Sequence, residues 1–168
     1  VLLPRSTHFE PQAFKLNSLT RSLFSQFKVP GLLSLFTIGF LLMGGFVSLY
    51  NYIGFELIAP PYSLSQTVVG FIFIVYIVGT FSSTWMGMLA DQYGKKNILP
   101  LSLVIMLTGV LTTLHPSLWV KIIGIAVFTY GFFAGHSIAS SWVGRLAVHD
   151  KAQASALYLS AYYAGSSV

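Results

Sequence analysis

An acid, a glycine and two cations lie close together in residues 87–96, which read GMLADQYGKK between two long apolar segments. Charged residues make up only 8% of the chain, so this local concentration needs an explanation. An ionised carboxylate at a membrane edge is costly unless it is paired, so Asp91 requires a partner. The two candidates are the positive amino end of a neighbouring helix and Arg145, which follows a later apolar segment. We therefore expect reversible charge pairing between helices at this site.

The other residues of this segment have simpler explanations. A short turn between antiparallel spans requires close helix approach or a positive φ, and Gly87 and Gly94 supply both. Lys95 and Lys96 are explained by membrane topology alone. The alternative for the whole segment is a turn that has no mechanical role and whose lysines only set the membrane topology. It leaves Asp91 unexplained, and the pairing with Arg145 is favoured for that reason.

A second set of residues is predicted to line a substrate or proton path, and its central member is His136. It is the only ionisable side chain deep within a predicted span, and such a group is a functional candidate by default. Because imidazole titrates near neutral pH, His136 is suited to relaying protons or to hydrogen-bonding a substrate. The alternative is a neutral histidine bonded to a helix carbonyl or to Ser140. Tyr130, six residues earlier, is assigned to the same path.

The remaining path candidates are Tyr50 and Asn51, at the end of the first apolar segment. Asn51 and Gly54 are predicted to interrupt that helix before Pro60-Pro61, and broken helices expose backbone groups to water-filled cavities in transporters. The alternative is that the helix simply ends here and its tyrosines lie at the membrane interface. Glu56 is interpreted as a solvated loop acid, and a proton-coupling role for it stays open.

The elements that position these residues follow from composition. Hydrophobic residues make up 55% of the 168, mean hydropathy is +0.76, and the apolar residues form long runs without strand alternation. Backbone groups in lipid must be paired internally, so these runs predict membrane-spanning helices and contact with the lipid bilayer. A net charge of +5 is too thinly spread for a nucleic-acid surface, and the chain has no cysteine. With no metal-ligand spacing, carboxylate pair or phosphate-binding loop, we expect no metal, no cofactor and no enzymatic activity.

The prediction is an all-α integral membrane fold with five transmembrane helices, the last of them truncated. The predicted spans are 30–52, 67–88, 97–114, 118–141 and 152–168. Residues 29–168 form the membrane bundle, and residues 1–28 precede it as a cytoplasmic segment. Leu16, Leu19, Leu23 and Phe27 share one helical face there, which predicts a helix on the membrane surface. A flexible linker is the alternative.

Alternation of basic and non-basic loops predicts the orientation. Residues 1–28 are rich in cations, the loop after the first span has none, and the following loop holds Lys95 and Lys96. Cytoplasmic loops of membrane proteins carry the excess of Lys and Arg. We therefore expect residues 1–28 and residues 87–96 on the cytoplasmic side of a multi-pass protein of the plasma or inner membrane.

Residues 87–96 resemble the G-x-L-a-D-r-x-G-r-k signature of the major facilitator superfamily of transporters. The matching positions are Gly87, Leu89, Asp91, Gly94 and Lys96, with Lys95 matching in charge. Gln92 departs from the pattern, since the family usually has Arg or Lys there. The resemblance implies the second six-helix bundle of a twelve-helix transporter, an amino-terminal half missing from this chain, and a linker at residues 1–28 that joins the halves. It also implies that Asp91 acts in an interhelical latch at the cytoplasmic face.

Residues 136–145, HSIASSWVGR, are similar to a stretch of the drug:proton antiporter branch of that superfamily. The resemblance implies a small-molecule substrate and a proton as partners, with proton-coupled efflux of small amphiphilic compounds by alternating access. Two alternatives stay open: a proton-coupled importer of a sugar or metabolite, and a channel or non-transporting membrane subunit.

Overall fold

The computed structural model describes residues 16–167, and that part of the chain is helical, without strands. Its elements are α1 (Leu16–Gln26), α2 (Leu32–Ile58), α3 (Gln66–Phe71), a 3₁₀ segment (Ile72–Val75), α4 (Tyr76–Tyr93), α5 (Lys95–Thr113), α6 (Leu118–Leu146) and α7 (Lys151–Gly165). Four helical stretches are long and apolar enough to cross a membrane: α2, the run from α3 to α4, α5 and α6. The predicted all-α, multi-pass membrane fold is confirmed.

The first span differs from its predicted end. Helix α2 continues through Asn51 and Gly54 to Ile58, so the predicted interruption is wrong. Asparagine and glycine each cost a helix less than about 1 kcal/mol, which packing easily offsets. Ile53 and Leu57, on either side of Gly54, are buried in a small cluster with Ile125 of α6 and hold this last part of the helix in place.

Several other helix ends also differ from the predicted bounds. Helix α4 runs to Tyr93 and α5 begins at Lys95, so most of residues 87–96 is helical and the loop is Gly94 alone. Helix α6 runs to Leu146, which places Arg145 in its last turn instead of beyond its end. Helix α7 has 15 residues, a length of about 22 Å against the ~30 Å hydrocarbon core of a bilayer.

Residues 16–26 form the helix predicted for the segment before the first span. Helix α1 packs against α7, and the Gln26 amide Nε2 donates to the His149 carbonyl oxygen at 3.4 Å. Phe24 is exposed beside them. Residues 1–15 lie outside the described part of the chain, and the placement of α1 on a membrane surface stays a prediction.

Helix α6 is the centre of the bundle and contacts α2, α4, α5 and α7. Its contact with α5 is a close approach of backbones: a Cβ added to Gly131 would lie 2.7 Å from the Ser102 carbonyl oxygen, and one added to Gly124 would lie 2.8 Å from the Thr113 nitrogen. Small residues allow such approach where lipid provides no hydrophobic force between helices. Gly135 has only ordinary side-chain contact, with Leu42 at 3.4 Å.

Candidate functional site

Asp91 and Arg145 meet at one end of the bundle, which we call the Asp91 end. Asp91 lies in the last turn of α4 and Arg145 in the last turn of α6, and Arg145 Nη2 donates to Asp91 Oδ1 at 2.9 Å. Both side chains are more than half exposed, at 57% and 65%. Exposed ion pairs contribute about 0–1 kcal/mol, so this pair can form and break at little cost.

Lys95 is part of the same site, although membrane topology was its only predicted role. Its ammonium lies 3.6 Å from Asp91 Oδ1 and donates to Ser141 Oγ of α6, and its side chain is buried. The site therefore joins α4, α5 and α6. Asp91 and Lys95 are four residues apart on the two sides of the Gly94 turn, and this short separation was the available signal. Lys96, by contrast, is exposed.

Gly94 forms the whole connection between α4 and α5. Its φ of +89° is a backbone conformation that residues with a Cβ rarely adopt, so glycine is required here. The Asn97 amide Nδ2 donates to the Tyr93 carbonyl oxygen at 3.0 Å and satisfies the end of α4. Gly87 differs from its prediction: the nearest atom to an added Cβ is Ser137 Oγ at 3.9 Å, so no close helix approach depends on it.

Tyr50 and His136 lie in one continuous cluster of rings, which we call the aromatic cluster. It joins α2, the 3₁₀ segment, α4, α6 and α7 through contacts such as that of Phe46 with Phe132, whose ring centroids are 4.0 Å apart. Its members are Phe46, Tyr50, Phe73, Tyr76, Phe128, Phe132, Phe133, His136, Tyr158, Tyr162 and, at its exposed edge, Tyr163. No residue pattern in the sequence singled out this grouping, because the rings come from five separate elements.

The hydroxyl of Tyr50 bonds α2 to α6. Tyr50 Oη lies 2.7 Å from Thr129 Oγ1, which itself donates to the Ile125 carbonyl oxygen at 2.7 Å. Since the single Thr129 hydroxyl hydrogen is used on Ile125, Tyr50 is the donor to Thr129. Tyr50 is therefore oriented by a directed bond within the aromatic cluster.

His136 bonds to α7, not to the partners proposed from the sequence. Its Nδ1 lies 3.1 Å from Tyr158 Oη, and its ring centroid is 4.4 Å from that of Tyr162. Ser140 Oγ donates to the Ser137 carbonyl oxygen instead. The alternative of a bond to Ser140 is wrong, because His136 Nδ1 faces Tyr158 of α7 and the Ser140 hydroxyl hydrogen is used within α6.

The bond from His136 to Tyr158 makes a testable contribution to stability. Tyr158→Phe removes the hydroxyl and is expected to lower the free energy of unfolding by about 1 kcal/mol, because a half-buried imidazole nitrogen loses its partner. Thermal unfolding of the purified full-length protein measures this. Tyr163→Phe is the matched control on the same helix, because Tyr163 is 60% exposed. Equal effects of the two variants would contradict the prediction.

Tyr130 and Asn51 are not members of the aromatic cluster. The side chain of Tyr130 packs against the main core, and its backbone carbonyl accepts from Ser82 Oγ at 2.5 Å. Asn51 is exposed in the continuous part of α2. Their assignment to a substrate or proton path stays a prediction.

Sequence reasoning missed an ion pair at the opposite end of the bundle, which we call the Glu56 end. Lys121 Nζ donates to Glu56 Oε1 at 2.9 Å and to the Thr113 carbonyl oxygen at 2.5 Å. Glu56 lies in the last turn of α2, so its interpretation as a loop acid is wrong. An acid is unfavourable at a helix carboxyl end, and this placement was the signal that a cation must compensate it.

Comparison with known proteins gives close relatives along nearly the whole chain. It is 55% identical over 166 residues to the uncharacterized MFS-type transporter YybF of Bacillus subtilis. The matched region covers 99% of this chain and 41% of that protein. It is 45% identical over 167 residues to the inner membrane transport protein YnfM of Escherichia coli, covering 99% of this chain and 40% of that protein. An uncharacterized transporter of Buchnera aphidicola is 43% identical over 166 residues.

No family model and no solved structure matches the chain. The chain spans about two fifths of the length of the relatives it matches. The expectation that it is not an enzyme agrees with these relatives, which are named as transporters. The chain is thus a multi-pass, all-helical membrane segment that is similar over almost its full length to part of MFS-type and inner membrane transport proteins.

Proposed function

We propose that the chain is most of the second six-helix bundle of a major facilitator superfamily transporter, and that the whole protein exports small amphiphilic compounds in exchange for protons. The similarity to an MFS-type transporter at 55% identity supports the family. The matches to the family signature at Gly87, Asp91 and Gly94 support it independently. The antiporter branch and the direction of transport rest on the resemblance of residues 136–145 and on the site below.

The observation that carries the proposed substrate class is the aromatic cluster. Phe46, Tyr76 and Phe133 are partly exposed on it, and Phe73 is half-exposed. Flat apolar surfaces bind the apolar part of an amphiphile, while tyrosine hydroxyls supply hydrogen bonds to its polar part. The cluster has no carboxylate or ammonium among its members, which suits such compounds better than strongly polar sugars.

His136 is the proposed proton-responsive group of this cluster. Its ring lies between Phe132 and Tyr162, so a substrate on the aromatic cluster and a proton on the imidazole would interact directly. A protonated imidazole also repels cationic cargo and attracts anionic groups. Coupling between proton and substrate then needs no further group in this part of the chain.

The pair of Asp91 and Arg145 is proposed as a latch that is broken and remade during alternating access. Its exposure makes it cheap to break, and it joins the last turns of α4 and α6. The proposed orientation places this end of the bundle in the cytoplasm. The exposed cations Arg21, Lys28 and Lys96 lie in the segments that the positive-inside rule assigns to the cytoplasmic side.

Transport by the full-length protein in everted membrane vesicles tests the proposal. A fluorescent amphiphilic dye is expected to accumulate in vesicles on imposing a pH gradient, and the accumulation is expected to stop when a protonophore collapses the gradient. Vesicles from cells without the protein are the control. Uptake of a sugar or metabolite in place of dye would favour the importer, and dye flux unaffected by the protonophore would favour a channel. Absence of any solute flux would favour a non-transporting subunit.

A further inference from the structure

We propose that Lys121 is a positioning residue: its ion pair with Glu56 sets the register of α2 against α6 and thereby holds Tyr50 on Thr129 in the aromatic cluster. The proposal rests on the proposed function only in assigning a transport role to that cluster. Lys121 is 3% exposed and bonds to Glu56 and to the Thr113 carbonyl, so it joins α6 to α2 and to the end of α5.

The first step is the geometry of the two helices. The last turn of α2 meets the first turn of α6 at the Glu56–Lys121 pair, so the two helices run antiparallel. Tyr50 lies six residues, or about 9 Å, before Glu56, and Thr129 lies eight residues, or about 12 Å, after Lys121. The Glu56–Lys121 and Tyr50–Thr129 contacts therefore belong to one antiparallel alignment of α2 and α6.

The second step is that apolar packing alone specifies this register weakly. Between the two polar contacts lie the buried side chains of Ile53 and Ile125, and the buried Leu57 follows Glu56 directly. Aliphatic contacts are non-directional, and lipid supplies no hydrophobic force that would favour one alignment. An ion pair with a buried lysine is directional, and fixing helix register is the best-attested use of such polar groups.

The third step is that Lys121 is held from several sides. Its ammonium lies 5.7 Å from the centre of the Tyr62 ring, and Tyr62 Oη donates to the Pro116 carbonyl oxygen at 2.5 Å. The loop after α2 and the loop before α6 are thus tied together around the same ammonium. A cation–π contact of this kind stabilises a charge that has few water contacts.

The ion pair at the Glu56 end differs in kind from the pair at the Asp91 end. Arg145 is 65% exposed, so water can solvate its guanidinium when the pair with Asp91 breaks. Lys121, by contrast, has almost no contact with solvent. Breaking a buried pair by removing one partner is strongly destabilising, and exchanging both partners for neutral groups is tolerated. Glu56 itself is 32% exposed, but the burial of Lys121 makes the pair at the Glu56 end the more costly of the two to break.

A double-mutant cycle in the full-length protein tests the proposal by thermal unfolding and by dye export. Glu56→Gln is expected to lower the unfolding temperature by about 5 °C or more, because Lys121 loses its counter-charge. Lys121→Met added to Glu56→Gln is expected to recover most of that loss. Lys96→Met, on an exposed lysine, is the matched control and should leave the unfolding temperature unchanged.

Tyr50→Phe then measures the link between the ion pair and the aromatic cluster. It should lower the unfolding temperature and raise the half-saturating dye concentration several-fold in the otherwise unchanged protein, and have clearly smaller effects when Glu56→Gln is already present. Additive effects in the cycle would overturn the register role. If no variant and not even the unchanged protein exports dye, the proposed function fails, while the unfolding temperatures still decide the register.

Discussion

Asp91→Asn is expected to reduce transport by the full-length protein about fivefold, with membrane insertion unchanged. Asparagine keeps the shape of the side chain but loses the charge that pairs with Arg145 at 2.9 Å and Lys95 at 3.6 Å. An exposed pair stabilises one conformer by up to about 1 kcal/mol, which corresponds to this factor in the equilibrium between conformers. The initial rate of dye export per amount of inserted protein measures it.

Asp150→Asn is the matched control for that experiment. Asp150 is an exposed acid that precedes α7 and has a φ of +56°, which asparagine tolerates well. It carries the same change of charge without the contact to Arg145, so transport should be unaffected. Arg145→Ala is expected to reproduce the loss seen with Asp91→Asn. Normal export by Asp91→Asn would show that the latch assignment is wrong.

Gly131→Ala is expected to lower the free energy of unfolding by about 3 kcal/mol. An added Cβ would lie 2.7 Å from the Met106 Cα and 2.7 Å from the Ser102 carbonyl oxygen, both on the facing backbone of α5. Backbone cannot give way as a flexible side chain can, so α5 and α6 must separate. The yield and unfolding temperature of the purified full-length protein measure the effect.

The control for Gly131→Ala is the identical substitution at Gly54. No atom lies within 4 Å of a Cβ added there, and Gly54 is inside the continuous helix α2. Alanine has the higher helix propensity by about 1 kcal/mol, so Gly54→Ala should leave the protein as stable or more stable. A comparable loss in both variants would mean that the close approach of α5 and α6 is not the cause.

Much of the fold was predictable because its signals are local. Long apolar runs identify the helices, and the turn at Gly94 follows from a glycine between the end of one run and the start of the next. Helix ends were predicted less well. Asn51 and Glu56 indicated a polar exit from the membrane, but α2 continues to Ile58 because Glu56 is neutralised by Lys121, a residue 65 positions away.

The candidate site was predictable in part for the same reason. Asp91 needs a cation, and Arg145 was the available residue on the same side, so the pairing followed from topology. The partner of His136 did not, because Tyr158 lies on another helix and 22 residues away. Lys95 was assigned to topology alone, although it is buried between Asp91 and Ser141.

The amino-acid sequence by itself determined the class of the protein: an all-helical membrane chain with a tight, charged turn after the second span. These properties depend on hydropathy and backbone sterics, which act within a few residues. Only the tertiary structure decided which side chains meet, as in the pairs of Glu56 with Lys121 and Tyr50 with Thr129. Each helical residue turns its side chain by about 100°, so such contacts depend on rotations and registers that the packing of whole helices sets.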